Sequence, residues 1–255
     1  MTILDKIIKN KTLEISHKKK TTSILDFQES KHYKITGVSM VNTLREKRGI
    51  IAEFKRKSPS KGIINQSVNL TEVIKGYENA GVSGISCITD VDFFGATLTD
   101  FQEARIVTKV PLLRKEFIID DYQIHESKAM GADVILLIAG VLDCFQINDF
   151  VSLAHELNME VLLETHTEAE VLDHLSTKAN MVGINNRDLN TFEVSVENSI
   201  RLANLLPESI LKIAESGIDS FETIKRLRSN GFEGFLIGEY FMKSTNPAEK
   251  CKQLI

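Results

Sequence analysis

A chain of 255 residues, 42% apolar and 26% charged with 14 Gly and 4 Pro, is too long for a mini-scaffold and too apolar for a disordered or collagen-like polymer. Cys87, Cys144 and Cys251 are odd in number and far apart with no CxxC spacing, which argues against a disulfide framework or a zinc ribbon and fits a reducing cytoplasm. The net charge is −4, yet residues 1–61 carry 15 Lys+Arg against 6 Asp+Glu, a local excess of +9. Without aromatic interleaving or a reading motif, that excess argues against a nucleic-acid partner. Around Arg45 to Lys61 it points instead to a small anionic substrate.

The first twenty residues alternate charge and aliphatics, so neither an export leader nor a membrane partner is expected. The longest uncharged apolar run, Val134 to Leu142, is broken by Gly140 and is far short of the roughly 18 residues that span a bilayer. Leu4, Ile7, Ile8 and Ile15 have helical spacing, and a second helical segment runs from Ser39 to Lys47. Residues 1–49 therefore read as helices added in front of a repeat that begins at residue 50.

From there, short β-rich runs alternate with amphipathic stretches. Eight strands are predicted: Ile50–Lys55, Gly84–Thr89, Pro111–Phe117, Ala132–Ile138, Glu160–His166, Met181–Asn186, Leu211–Ser216 and Gly234–Gly238. The helices between them fall at Leu70–Ala80, Thr97–Val107, Tyr122–Met130, Ile147–Leu157, Glu168–Leu175, Val196–Leu205 and Phe221–Ser229, with a last one opened by Pro247. Thr167 or Asp219 offers an N-cap, and Gly81, Gly131 and Gly231 offer left-handed helix ends. Eight βα units in a chain of this size favour an α/β fold closed as a (β/α)8 TIM barrel, residues 50–255, with the extension packed on it as one domain. An open dinucleotide fold is the structural alternative. It lacks GxGxxG after the first strand, where EFKRKSPSKG stands instead.

A barrel of this kind places chemistry at the carboxyl ends of its strands. That rule selects Glu53 and Lys55, Lys115, Glu164, Asn185 with Arg187, and Glu215 with Ser216. Polar groups inside otherwise aliphatic strands are costly unless they are paired or used, and Arg187 has candidate partners in Asp188 and Glu164. Ala214-Glu215-Ser216-Gly217 and Ile237-Gly238-Glu239 end the last two strands, where backbone N–H groups commonly hold a phosphate. The basic run Lys55 to Lys61 is not a Walker loop. No HExxH or His pair supports a metal, His166 reads as a strand-end or cap residue, and neither GxSxG nor a poised thiol is present. Acid–base chemistry by Lys and Glu is what remains.

The segments IIAEFKRKSPSKG, PLLRKEF, VLLETH, VGINNRDL, IAESGI and FLIGEYFM, with ILDKIIKNKTLEI at the front, resemble the indole-3-glycerol phosphate synthases over the whole chain. The resemblance implies a phosphorylated small-molecule substrate, 1-(2-carboxyphenylamino)-1-deoxyribulose 5-phosphate, which loses CO₂ and water in tryptophan biosynthesis without a cofactor. It implies Lys115 as the acid that protonates the ribulose carbonyl and Glu164 as the acid–base residue of the later dehydration. Lys55 is implied as a holder of substrate anions and a second proton donor. Glu53 and Glu215 would orient the lysines and sugar hydroxyls, Asn185 would hold polar groups, and Arg187 would face the anthranilate carboxylate. Phe94, Phe117, Leu136 and Leu189 would sandwich the aromatic ring. Ser216, Gly217, Gly238, Lys55 and the backbone of Glu239 would hold the phosphate. Where many members have Ser, this chain has Glu239, so that carboxylate must turn away from the anion. Asn186 likewise replaces a Ser. A phosphate-binding sugar isomerase and a catalytically retired barrel are the alternatives, a monomer is the working expectation, and no fused second enzyme is expected.

Overall fold

Eight parallel strands close on themselves in the computed structural model, which describes residues 2–47, 49–188 and 192–255. They are β1 (Ile50–Phe54), β4 (Gly84–Ile88), β5 (Leu112–Lys115), β6 (Val134–Ile138), β7 (Glu160–Thr165), β8 (Met181–Asn185), β9 (Leu211–Glu215) and β10 (Gly234–Ile237). The strands β2 (Lys57–Ser58) and β3 (Gly62–Ile63) form a separate small hairpin in the basic loop after β1. Neighbouring barrel strands pair in chain order, and β1 closes the ring against both β4 and β10. This is the predicted (β/α)8 barrel.

Strand period and burial explain why it closes. Side chains alternate across each strand, so Ile51, Leu113, Leu136, Leu162, Met181, Ile213 and Leu236 fill the interior while Ile50, Ile135, Val161 and Ile184 face the surrounding helices. The helices of the repeat are α4 (Leu70–Ala80), α5 (Val91–Phe94), α6 (Asp100–Val107), α7 (Asp121–Met130), α8 (Cys144–Glu156), α9 (Glu168–Asp173), α10 (Val196–Ala203), α11 (Phe221–Ser229), α12 (Glu239–Met242) and α13 (Pro247–Lys252). Both α4 and α11 lie as predicted, whereas several strand ends are shorter. The run Pro111–Phe117 contracts to Leu112–Lys115 because Glu116 and Phe117 leave the ladder and Glu116 Oε1 accepts the Phe117 amide at 2.8 Å. Ser220, not Asp219, caps α11, because Ser220 directly precedes the first helical residue, Phe221, and its Oγ accepts from Thr223 N. Thr167 caps α9 as predicted.

Ahead of the repeat stand α1 (Ile3–Thr21), α2 (Ile24–Gln28), a 3₁₀ turn at Lys31–Lys34, and α3 (Met40–Lys47). Helix α3 plugs the amino end of the barrel with Met40 and Leu44, both fully buried. Glu160, at the start of β7, accepts from the Met40 and Val41 amides and from Ser39 Oγ, tying that plug to the sheet. Gly84 lies beneath it, where an added Cβ would come 2.5 Å from Met40 Cε and push that side chain aside. Helix α1 goes to the opposite end, where Ile3, Leu4 and Ile7 line a cavity. No helix among the described residues is long and apolar enough to cross a membrane.

Candidate active site

Inward-facing positions repeat every second residue, and the last one on five strands is polar. On β5 the inward residue after Leu113 is Lys115; on β7 Glu164 follows Leu162; on β9 Glu215 follows Ile213; on β1 Glu53 follows Ile51; on β8 the series from Met181 ends at Asn185. The barrel thus has apolar layers below and an ionic layer at its carboxyl end. Above that layer is a cavity of about 320 Å³.

Lys115 is the centre of the layer. Its Nζ lies 2.7 Å from Glu164 Oε2 and 2.5 Å from Glu215 Oε2. Burial works against its charge, but Glu164, Glu215 and Glu53 outweigh burial and hold the ammonium above the usual lysine range. Burial alone would raise Glu164; Lys115 and His166 reverse that, and its carboxyl is held well below the usual range. Burial pushes Glu215 up to about 7, with Lys115 pulling against it and Glu164 adding to it. Glu215 Oε2 is taken by Lys115, while Oε1 is buried without a hydrogen-bond partner. Gly183 makes room for that carboxyl, because a Cβ there would lie 2.2 Å from Glu215 Oε1.

The other predicted groups gather on the same cavity. Lys55 pairs with Glu53 at 2.7 Å, and Asn185 Nδ2 donates to Glu164 Oε1 at 3.0 Å while its Oδ1 accepts the Arg187 amide. Ser216 and Gly217 are consecutive left-handed residues, φ +66° and +65°, which bend the chain sharply after β9 and leave Gly217 facing the cavity. Gly238 opens α12 with no side chain capping its first amides. A Cβ there would sit 2.9 Å from Glu53 Cβ and 2.4 Å from its Oε1, so glycine leaves the space that Glu53 occupies. Arg187 Nη2 donates to Glu239 Oε2 at 3.0 Å and Nη1 to the Phe192 carbonyl, so Glu239 is a carboxylate partner that the sequence reading did not name. Glu239 Oε1 also meets Lys243 Nζ at 2.6 Å, so two cations engage its carboxylate.

Phe94, Phe117 and Leu136 line the cavity, and Leu189 lies outside the described residues. The Phe94 and Phe117 centroids are 5.9 Å apart at 40°. A third ring between them needs about 7 Å, two contact distances of about 3.5 Å. The two phenylalanines therefore make one wall rather than the faces of a sandwich. His166, read from sequence as a strand-end or cap residue, touches the site instead. Its Nε2 lies 3.2 Å from Glu164 Oε1 and its Nδ1 3.5 Å from Glu170 Oε2, and these carboxylates raise it to about 10 against the effect of burial. The spacing held the clue, since residue 166 is two beyond Glu164 on one strand face and four before Glu170.

The family model for indole-3-glycerol phosphate synthase matches residues 4–254. The chain belongs to the indole-3-glycerol phosphate synthase family. It is 46% identical over 254 residues to the indole-3-glycerol phosphate synthase of Bacteroides thetaiotaomicron, covering 99% of this chain and 97% of that one. The Legionella pneumophila enzyme of the same name is 38% identical over 253 residues, covering 99% and 98%. Among solved structures, thiamine phosphate pyrophosphorylase from Pyrococcus furiosus superposes with a TM-score of 0.62 at 13% identity, over 85% of this chain and 96% of that one. A tryptophan synthase α-subunit from the same organism gives 0.61 at 14% identity, over 81% and 97%. At such identities the likeness is one of fold. Glu53, Lys55, Lys115 and Glu164 line one cavity, and Glu215 is buried against Lys115.

Proposed function

We propose that the chain acts as a carboxy-lyase of the cytoplasm, closing the ring of 1-(2-carboxyphenylamino)-1-deoxyribulose 5-phosphate to give indole-3-glycerol phosphate, CO₂ and water. The observation that carries this reading is Lys115, buried between Glu164 and Glu215 at the floor of a cavity whose rim holds Lys55 on one side and the Ser216–Gly217 bend on the other. When the ring carbon attacks the ribulose carbonyl, negative charge develops on its oxygen. An alkoxide is basic enough to take a proton even from an amine held above its usual range, so Lys115 supplies charge stabilisation and the proton together. Loss of CO₂ restores the aromatic ring and asks little of the protein.

Dehydration follows with a proton from Lys55 to the departing hydroxyl and removal of a ring-carbon proton by Glu164. The ion pair sets the order of these events. While Lys115 is charged, Glu164 is a weak base; once Lys115 has given up its proton, the buried carboxylate loses its main cation and becomes a stronger one. Direct return of that proton from Glu164 to Lys115, across 2.7 Å, resets the pair. Glu53 and Glu215 position the lysines, and Asn185 holds Glu164 in line. The phosphate is received by backbone N–H groups at Gly217, Gly238 and Glu239, aided by Ser216, while Arg187 exchanges Glu239 for the substrate carboxylate. Incubating the purified protein with the substrate and following indole fluorescence tests the assignment. Growth of that signal supports it, and binding without product marks a retired barrel.

A further inference from the structure

Helix α1 carries a buried ammonium that the proposed chemistry does not use. Lys11 is 1% exposed, and its Nζ lies 2.7 Å from Glu14, 3.0 Å from Glu116 and 3.3 Å from Asp90. Residues 3, 7, 11 and 15 are four apart and share one helix face. Ile3 and Ile7 line the cavity, Lys11 goes into the loops after β4 and β5, and Ile15 is buried beyond it. Lys18 continues the attachment by reaching Glu126, which in turn holds the buried Arg114.

The two loop carboxylates that Lys11 joins each fix a cavity-lining aromatic residue. Asp90 Oδ1 accepts the Phe93 amide at 2.8 Å and so starts α5, the short helix that ends at Phe94. Glu116 Oε1 accepts the Phe117 amide at 2.8 Å, and its Oε2 accepts from Thr89 Oγ1. Glu116 also follows Lys115 directly in the chain. The rings of Phe94 and Phe117 then pack against each other. Burial opposes the charge on Lys11, but Glu116, Glu14 and Asp90 keep it protonated well above the usual lysine range, so the pairing persists through neutral pH. A buried ionic cluster is a weak source of stability, since apolar residues of similar volume often do as well, whereas it fixes geometry strictly.

We propose that Lys11 is a positioning residue for the substrate: by joining Asp90 to Glu116 it docks α1 over the cavity and sets the Phe94–Phe117 wall against which the aromatic ring of the substrate rests. The proposal rests on the ring-closure reading above. Lys11 touches neither the substrate nor the acid–base groups, so its loss acts on binding more than on chemistry.

The test is steady-state kinetics of the ring closure, with thermal unfolding, for the wild type, Lys11→Met, Glu116→Gln and the double variant Lys11→Met/Glu116→Gln. Glu116→Gln keeps one oxygen to accept the Phe117 amide and turns its N–H2 toward the Thr89 hydroxyl, which can accept, while losing the charge that faces Lys11 and Arg114, so it is expected to stay folded. Lys11→Met is expected to raise KM at least tenfold with kcat within threefold, and Glu116→Gln to raise KM by a smaller factor. The double variant removes one of the two buried carboxylates stranded by the loss of Lys11; it is expected to recover part of the lost Tm while KM stays high. An unchanged KM in Lys11→Met overturns the proposal, as does a KM that returns to normal together with Tm. If Lys11→Met does not fold, the Glu116→Gln KM decides, with a normal value overturning it. Wild-type protein that forms no product removes the ring-closure reading and the proposal with it, whereas an active wild type with unaffected variants overturns the proposal alone.

Discussion

Replacing Lys115 by methionine keeps the length of the side chain and removes its charge, which leaves the buried carboxyls of Glu164 and Glu215 without the ammonium they share at 2.7 and 2.5 Å. Removing one partner of a buried ion pair costs about 3–5 kcal/mol. At about 2–4 °C per kcal/mol for a chain of this size, that lowers Tm by roughly 6–20 °C. The cost is expected to depend on pH. In the wild type Glu164 is held below the usual carboxylate range, so its pairing stabilises the fold above that range and the benefit fades as pH falls. Without Lys115, burial dominates at Glu215 and raises its carboxyl further, while Glu164 also rises but is still partly held down by His166. A group with a raised folded-state pKa contributes fully below its unfolded value and loses that contribution as pH rises through the folded one. The Tm difference between wild type and variant should therefore be small near pH 5 and largest above pH 7, where Glu215 already titrates at about 7 in the intact site. Turnover should fall at least about a hundredfold across the range, the lower bound for removing a general acid. Melting curves at half-unit pH steps, with indole fluorescence for rate, measure both. A Tm gap that does not change with pH refutes the electrostatic account, and near-normal turnover refutes the acid role.

Glu164→Gln keeps one acceptor oxygen for Lys115, sets its N–H2 against the donor Asn185 Nδ2 and removes the base; single-turnover experiments should show substrate still bound and the rate down at least about a hundredfold. Gly217→Ala places a Cβ 2.2 Å from Val194 Cγ1 at a φ of +65°, so it should cost about 1–3 kcal/mol in melting experiments. It should also raise KM about tenfold if that bend presents amides to the phosphate, and an unchanged KM would count against them. Glu239→Gln frees Arg187 and Lys243 of a competing charge worth about 1 kcal/mol at 4 Å in water, so inorganic phosphate should inhibit about fivefold more tightly. Weaker inhibition would show that the carboxylate is needed to aim the two cations.

What the sequence shows and what it hides divides along the same physical line. Barrel closure, the strand centres, α4 and α11 follow from hydrophobic period, which is local and repeats eight times. The hairpin of β2 and β3 is too short for any period to register, and its turn at residues 59–61 leads into Gly62 at φ +66°. Lys55, Lys115 and Glu164 were legible because each is a charge at the top of an aliphatic run, and a charge in that position needs a reason. His166 was not, because imidazole at a strand end is unremarkable until its two carboxylates are seen. Lys11 was hidden further still, since one lysine among many on a charged helix carries no sign of burial; only the three carboxylates supplied by two distant loops and its own helix distinguish it.

That contrast has a physical basis in how barrels divide their work. A strand sets the direction of its last inward side chain by period alone, so acid–base groups can be placed by any of eight equivalent ends and read one strand at a time. An aromatic wall built from two loops has no such rule. Phe94 and Phe117 are brought to 5.9 Å by a helix cap, a strand exit and an ammonium from α1, three devices in three parts of the chain. In the proposed reaction, proton transfer rests on the first kind of placement and recognition of the ring on the second. Changes in the loops and in α1 should accordingly move KM, whereas changes at the strand ends should move kcat.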